Sequence, residues 1–191
     1  MEHSVFEQLA TARLSIRRFR AGDAEALRRY RNDPEVARFQ GWDVPYTLAE
    51  AERFIESLAS ASPGQPGSWF QFAVALPPDQ ALIGDCALRT LPDDPHQAEL
   101  GFSFATAFQR QGYASEALRS VLAYAFTILA MHRVFAIVDT RNLPAQRLLE
   151  RLRFRREGHF VENTWFKGAW SSEFLYAQLE SDWRAIPMPA R

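Results

Sequence analysis

Ala98-Glu-Leu-Gly-Phe-Ser-Phe104 leads through a short stretch into Gln109-Arg-Gln-Gly-Tyr-Ala114, and from there apolar residues recur three and four apart to about Leu129. Alternation followed by helical spacing reads as a strand, a connection and a helix that starts near Gly112. The first amides of a helix have no intrahelical partner and lie at its positive end, so such a junction accepts an anion through backbone alone. A phosphate-bearing ligand is therefore the first expectation. Two common phosphate loops are absent, since no Gly-x-x-x-x-Gly-Lys-Ser/Thr occurs and Gly112 lacks the partner glycines of a dinucleotide fingerprint.

Upstream of this stretch, Thr11 to Phe19 alternates as a strand, and Asp23 is expected to cap a helix that runs to about Arg31 and stops at Asn32-Asp33-Pro34. Thr47-Leu-Ala-Glu50 has the spacing of a capping box, with Leu48, Ala51, Ile55 and Leu58 on one face of the helix it begins. Ser60 to Ser68 is a connector. Trp69 to Leu76 and Ala81 to Arg89 form an antiparallel hairpin around Pro77 to Gln80, and Pro92 to His96 leads to the strand carrying Glu99.

Downstream, Leu118, Val121, Leu122, Ala125 and Leu129 form a helical stripe, and Arg133 to Val138 is a short buried strand. Asn142 is placed as an N-cap with Pro144 in the first turn and Ala145, Leu148, Leu149 and Leu152 as the apolar face. Phe154 to Val161 and Glu173 to Leu179 are the last two strands. The order implies an α/β protein, a mixed and mostly antiparallel sheet with helices on both faces, in a single domain over 1–191 with its core at about 11–180.

The chain has 191 residues and a formal net charge of −1, which suits one ordered domain and gives no charge-driven affinity for nucleic acid. The arginine clusters at Arg13 to Arg20 and Arg151 to Arg156 read as the polar face of a strand and a helix end. Cys86, the single cysteine, sits in an apolar run as a small buried hydrophobe. No stretch is apolar over a membrane-spanning length, and the amino-terminal residues lack the pattern of a secretory leader, so no membrane partner and a cytoplasmic location are expected. His3, His96, His132 and His159 have no zinc-type spacing and no metal is expected.

Gln109-x-x-Gly112-x-Ala114 resembles the Q/R-x-x-G-x-G/A signature of the GNAT acetyltransferases, and the element order from about 11 to 180 is similar to theirs. Further segments resemble the branch typified by ribosomal-protein N-terminal acetyltransferases: Arg13-Leu-Ser-Ile-Arg-Arg-Phe, Asp23-Ala-Glu-Ala-Leu, Asn32-Asp-Pro-Glu-Val, Pro45-Tyr-Thr-Leu-Ala-Glu-Ala, Glu99-Leu-Gly-Phe, Gly112-Tyr-Ala-Ser-Glu-Ala-Leu, His132-Arg-Val, Asn142-Leu-Pro-Ala and Phe154-Arg-Arg-Glu-Gly.

The resemblance implies transfer of acetyl from acetyl-CoA to a primary amine, a protein N-terminal α-amine or a small molecule, by direct attack on the thioester. It assigns Gln109, Arg110, Gln111, Gly112, Tyr113 and Ala114 to the diphosphate, and the backbone of Phe102, Ser103 and Phe104, on a strand that splays, to the pantetheine arm. Glu99 is the implied base, against the alternative of a strand-end glutamate facing solvent. Asn142 is implied to cap its helix and to contact the pantetheine or order the site. Arg110 replaces a common glycine, either adding a cation beside the phosphates or pointing to solvent. Arg153 also stands where glycine is usual, so either that turn differs or Arg153 accepts strain.

Where relatives carry a serine or a tyrosine that could protonate the leaving sulfur, this chain has Ala145 and Leu149, and Tyr113 and Tyr176 are substitutes by residue type alone. A thiol leaves readily enough to be protonated by water. The resemblance puts acceptor selection among Gln40, Trp42, Asp43, Tyr46, Trp165 and Trp170, with Asp43 or Glu162 as a charge to attract a cationic amine, against the alternative that these are core aromatics and solvated loop charges. A catalytically silent acyl-CoA-binding module is the alternative reading, nucleic-acid binding a distant third, and a homodimer is left open.

Overall fold

In the computed structural model, which describes residues 6–185, strands β1 (Gln8–Ala10) and β2 (Ser15–Arg17) form a hairpin. The amino-terminal residues read for a leader, and His3 among them, lie outside the described residues. Thr11 shortens the strand expected from Thr11 to Phe19: its amide donates to the Leu14 carbonyl at 2.9 Å and its hydroxyl accepts the Leu14 amide at 2.9 Å, making a turn of residues that alternation assigned to a strand. Asp23 does not cap α1 (Ala24–Arg31) through its side chain. It closes a 3-10 turn (Ala21–Asp23), and its carboxylate takes the Arg20 amide and both Nη atoms of Arg17 in an ion pair only 3% and 7% exposed.

The helix stops where Asn32-Asp33-Pro34 predicts, but Asp33 then caps an additional short helix, α2 (Pro34–Ala37), through the Glu35 amide. The capping box of α3 (Leu48–Ser57) forms as read, with Thr47 Oγ1 accepting from the Glu50 amide and Glu50 Oε2 from the Thr47 amide. Of its expected apolar face Ala51 and Ile55 are buried, while Leu48 is exposed.

The meander β3 (Trp69–Leu76), β4 (Ala81–Thr90) and β5 (Gln97–Phe104) is followed by α4 (Tyr113–Thr127), β6 (Arg133–Asp139) and α5 (Leu143–Arg151). The last hairpin, β7 (Arg155–Phe166) and β8 (Ala169–Leu179), is longer than alternation suggests, because register shifts at Arg156/Gly158 and Phe160/Thr164 break the period of two. A short α6 (Glu180–Arg184) follows it.

The strands make one sheet in the order β1-β2-β3-β4-β5-β6-β8-β7, antiparallel throughout except where β5 meets β6. Successive residues of β3 divide between two cores, as the pleat requires: Phe72 and Val74 pack with Leu118, Leu122 and Leu149 of α4 and α5, and Ala73 packs with Leu27, Ala51 and Ile55 of α1 and α3. Cys86 is fully buried, and among the described residues no helix is long and apolar enough to cross a membrane.

Candidate active site

β5 and β6 pair only at their beginnings, Gln97, Ala98 and Glu99 lying opposite Arg133, Val134 and Phe135. From Leu100 to Phe104 β5 keeps its register with β4 alone. Gly84 on β4 permits this parting: a Cβ there would lie 2.4 Å from the Ser103 carbonyl oxygen and 2.9 Å from the Phe104 Cα, so the missing side chain lets the end of β5 lean onto β4. Parallel neighbours run to the same end of the sheet, and each here leads into a helix. The amino termini of α4 and α5 therefore both begin where the gap opens.

The connection before α4 is held by side chain to backbone bonds as well as by its own backbone turns. Gln109 Nε2 donates to the Phe104 carbonyl at 2.9 Å, and Gln111 Nε2 to the Ala107 carbonyl at 2.8 Å. Arg110 and Gly112 both have left-handed backbone, φ 60° and 84°, and the first helical bond runs from the Glu116 amide to the Gly112 carbonyl. The amides of Tyr113, Ala114 and Ser115 precede that bond, so they are the free positive end of the helix. Arg110 is exposed and takes a conformation that favours glycine.

Beneath the loop lies Arg13. Its Nη1 donates to the Gln111 carbonyl at 3.1 Å, its Nε to Glu116 Oε2 at 2.7 Å, and its guanidinium stacks 4.5 Å from the centre of the Tyr113 ring.

Glu99 faces away from the α4 core, in one cross-sheet row with Trp69, Arg89 and Phe135. Its side chain is 23% exposed and lies 3.6 Å from the Arg89 guanidinium. Burial pushes its carboxyl above the usual range; Arg89 opposes the shift and the negative charge of Glu173 adds to it. Glu173 on β8 accepts from Asn163 Nδ2 at 2.6 Å and Thr164 Oγ1 at 3.1 Å. It was not among the residues singled out from sequence, because the bulges of β7 hide which residues face it.

Asn142 caps α5, its Oδ1 accepting from the Ala145 amide at 3.2 Å, which leaves Nδ2 as the atom for any second role. Three residues before it, Asp139 receives the Ser171 hydroxyl at 2.5 Å and the Arg141 Nε and Nη2 at 2.9 and 2.6 Å. Burial alone would raise the Asp139 carboxyl, but these bonds outweigh it and hold its pKa at about 2. Ala145 and Leu149 are buried in the core, as is Tyr176, whose hydroxyl meets Glu150 Oε1 at 3.1 Å. Tyr113 is stacked under Arg13 and edge-on to Phe108. Neither tyrosine is thereby brought beside Glu99.

The residues expected to select the acceptor take up different positions. Trp42 and Tyr46 are taken up by a buried guanidinium, Arg31, which lies 4.4 and 5.0 Å from their ring centres and donates to the Tyr46 hydroxyl at 2.9 Å. Glu162 belongs to the bulge, at φ 46°, and its amide meets Ser172 Oγ. Gln40 instead reaches β5, donating from Nε2 to the Phe102 carbonyl at 3.2 Å. Asp43 is exposed, and Trp165 and Trp170 pack edge to face near the hairpin tip, 62% and 57% exposed. At that tip Lys167, the sole lysine of the sequence, donates to the carbonyls of Ala37 and Trp42 at 2.7 and 3.0 Å. The hairpin is thus fastened over the segment that follows α2.

A sheet split beside two helix amino termini offers a gap with an anion-accepting end. Residues 13–155 match the family model described as an acetyltransferase (GNAT) domain. The chain is 31% identical to the uncharacterized N-acetyltransferase YnaD of Bacillus subtilis over 92% of its own length and 98% of that protein's. It is 29% identical to the ribosomal protein uS5-alanine N-acetyltransferase of Escherichia coli over 61% of each. A crystal structure of a GNAT-family acetyltransferase from Bacillus anthracis, 29% identical, superposes with a TM-score of 0.79 over 91% of this chain and 99% of that one. The chain belongs to the GNAT family of N-acetyltransferases, and acetyl-CoA is its co-substrate.

Proposed function

We propose that this enzyme acetylates a cationic primary amine, a protein N-terminal α-amine or a small-molecule amine, with Glu99 as the base. The observation that carries the reading is the parting of β5 from β6 immediately beyond Glu99, which leaves a half-buried carboxylate at the start of a gap. The residues suit acetyl-CoA: free amides of Gln111, Gly112, Tyr113 and Ala114 for the diphosphate, with Gln109 fixing the loop and Arg110 a cation at its rim, and the edge of β5 at Phe102, Ser103 and Phe104 for the amide-bearing arm. Asn142 adds an amide at the second helix terminus.

Bound acetyl-CoA supplies an activated acetyl thioester, which a neutral amine can attack without prior activation of the carbonyl by a metal. The enzyme must then take a proton. An α-amine, with a pKa of roughly 7.7–8.0, is partly neutral near pH 7.5, whereas an alkyl amine near pKa ~10.4 is almost wholly ammonium. Glu99 accepts that proton, directly or through one water, and the pair of carboxylates Glu99 and Glu173 favours an amine that arrives charged. With Ala145 and Leu149 in place of hydroxyl residues, water protonates the departing thiolate. A cytoplasmic setting, in which the buried thiol of Cys86 stays reduced, belongs to the same proposal.

Release of free CoA thiol, measured over a panel of peptides beginning with alanine or serine and of polyamines, tests this reading. Saturable turnover with at least one class, lost in Gly112→Trp, is the expected result. Tight acetyl-CoA binding with no thiol release across the panel would instead show a silent acyl-CoA-binding module.

A further inference from the structure

We infer that Arg13 is a positioning residue for the diphosphate loop, acting through Glu116. The inference rests on the assignment of the loop between Gln109 and Ala114 to acetyl-CoA. Arg13 comes from the β1–β2 turn, far from the loop in sequence, and spends its donors on it: Nη1 to the Gln111 carbonyl at 3.1 Å, Nε and Nη2 each 2.7 Å from Glu116 Oε2, and the main-chain amide to Glu116 Oε1 at 3.0 Å. Thr11 completes the clamp, its hydroxyl donating to Glu116 Oε1 at 2.6 Å. A Cβ on Gly112 would lie 3.2 Å from Arg13 Nη2, so the guanidinium is packed directly beneath the residue that starts the helix.

Two consequences follow for a diphosphate. A carbonyl held by Arg13 fixes the orientation of the peptide between Gln111 and Gly112, and with it the direction of the neighbouring amide. Glu116 lies in the first turn of α4, where a carboxylate favours the free helix but repels a second anion placed at the same terminus. Arg13 cancels that repulsion, since paired charges of opposite sign present little net field to a third group.

The test compares two donors with one acceptor: acetyl-CoA, and S-acetylpantetheine, which has the same thioester arm and no diphosphate. Wild-type enzyme should prefer acetyl-CoA in kcat/KM. In Arg13→Ala that preference should fall at least tenfold, through a higher KM for acetyl-CoA, and in Arg13→Lys, which keeps the charge but not the paired geometry, it should fall about threefold. Equal loss with both donors in both variants, or an unchanged preference, would overturn the inference. A wild-type enzyme with no preference at all would overturn the loop assignment, and the inference with it.

Discussion

Glu99 is held between opposing influences, and its chemistry follows from their balance. Its pKa in the folded protein lies above the usual carboxylate value, so the folded state gains from Glu99 below the unfolded pKa and loses that contribution as pH rises through the folded one. Glu99→Gln should accordingly lower kcat by about 10²–10⁴ while leaving the melting temperature unchanged or raised near pH 7. The rate of the wild-type enzyme should rise with pH through a limb above the ordinary glutamate range, and that limb should vanish in the variant. Asp139 has the opposite sign. Its folded pKa of about 2 lies below the ordinary 3.8, so its contribution is present above the latter and is lost as pH falls toward 2. Asp139→Asn should flatten the acid limb of a stability curve over that interval. Arg153 accepts the left-handed conformation that a glycine usually fills, φ 69°, closing α5 with bonds from its own amide to the Glu150 carbonyl and from Phe154 to Leu149. Arg153→Gly should add about 1 kcal/mol of stability, read as a rise of roughly 2–4 °C in thermal melting.

At the scale of elements, the gap between β5 and β6 depends on a residue that neither strand contains. Gly84→Ala would press a methyl against the Ser103 carbonyl, and the resulting shift of β5 should destabilise the protein by roughly 1–3 kcal/mol and weaken acetyl-CoA binding together. The β7–β8 hairpin makes a second, separable prediction. Lys167→Met removes both bonds to the Ala37 and Trp42 carbonyls, so the KM for the amine should rise severalfold with little change in the KM for acetyl-CoA. What the sequence reveals at this scale is local. The Thr47–Glu50 box, the Asn142 cap and the junction at Gly112 each depend on a few neighbouring residues, and each forms where its pattern places it. Gly84, Lys167 and Arg13 act across distant parts of the chain. Their roles depend on register and hairpin closure, and no window of sequence contains both partners. The Thr11 turn and the bulges of β7 fail for a related reason, since alternation marks residues that suit a strand and does not show where pairing breaks.

For the molecule as a whole, the sheet order turns these local features into one site. Among the described residues only the β5–β6 pairing is parallel, and this brings the starts of α4 and α5 to the same edge and sets the carboxylates of Glu99 and Glu173 on the face opposite the α4 core. The fold and family were legible from element order and the loop signature together, whereas the contacts of the segment after α2 with β5 and with the final hairpin join distant parts of the chain and are displayed only by the folded chain. The most direct measurement of the central claim is a crystal structure of the enzyme with CoA. The diphosphate should lie within hydrogen-bond distance of the amides between Gln111 and Ala114, with the arm along Leu100 to Phe104 and the thiol on the Glu99 side of the gap. CoA bound anywhere else, or a thiol separated from Glu99 by the sheet, would contradict the account.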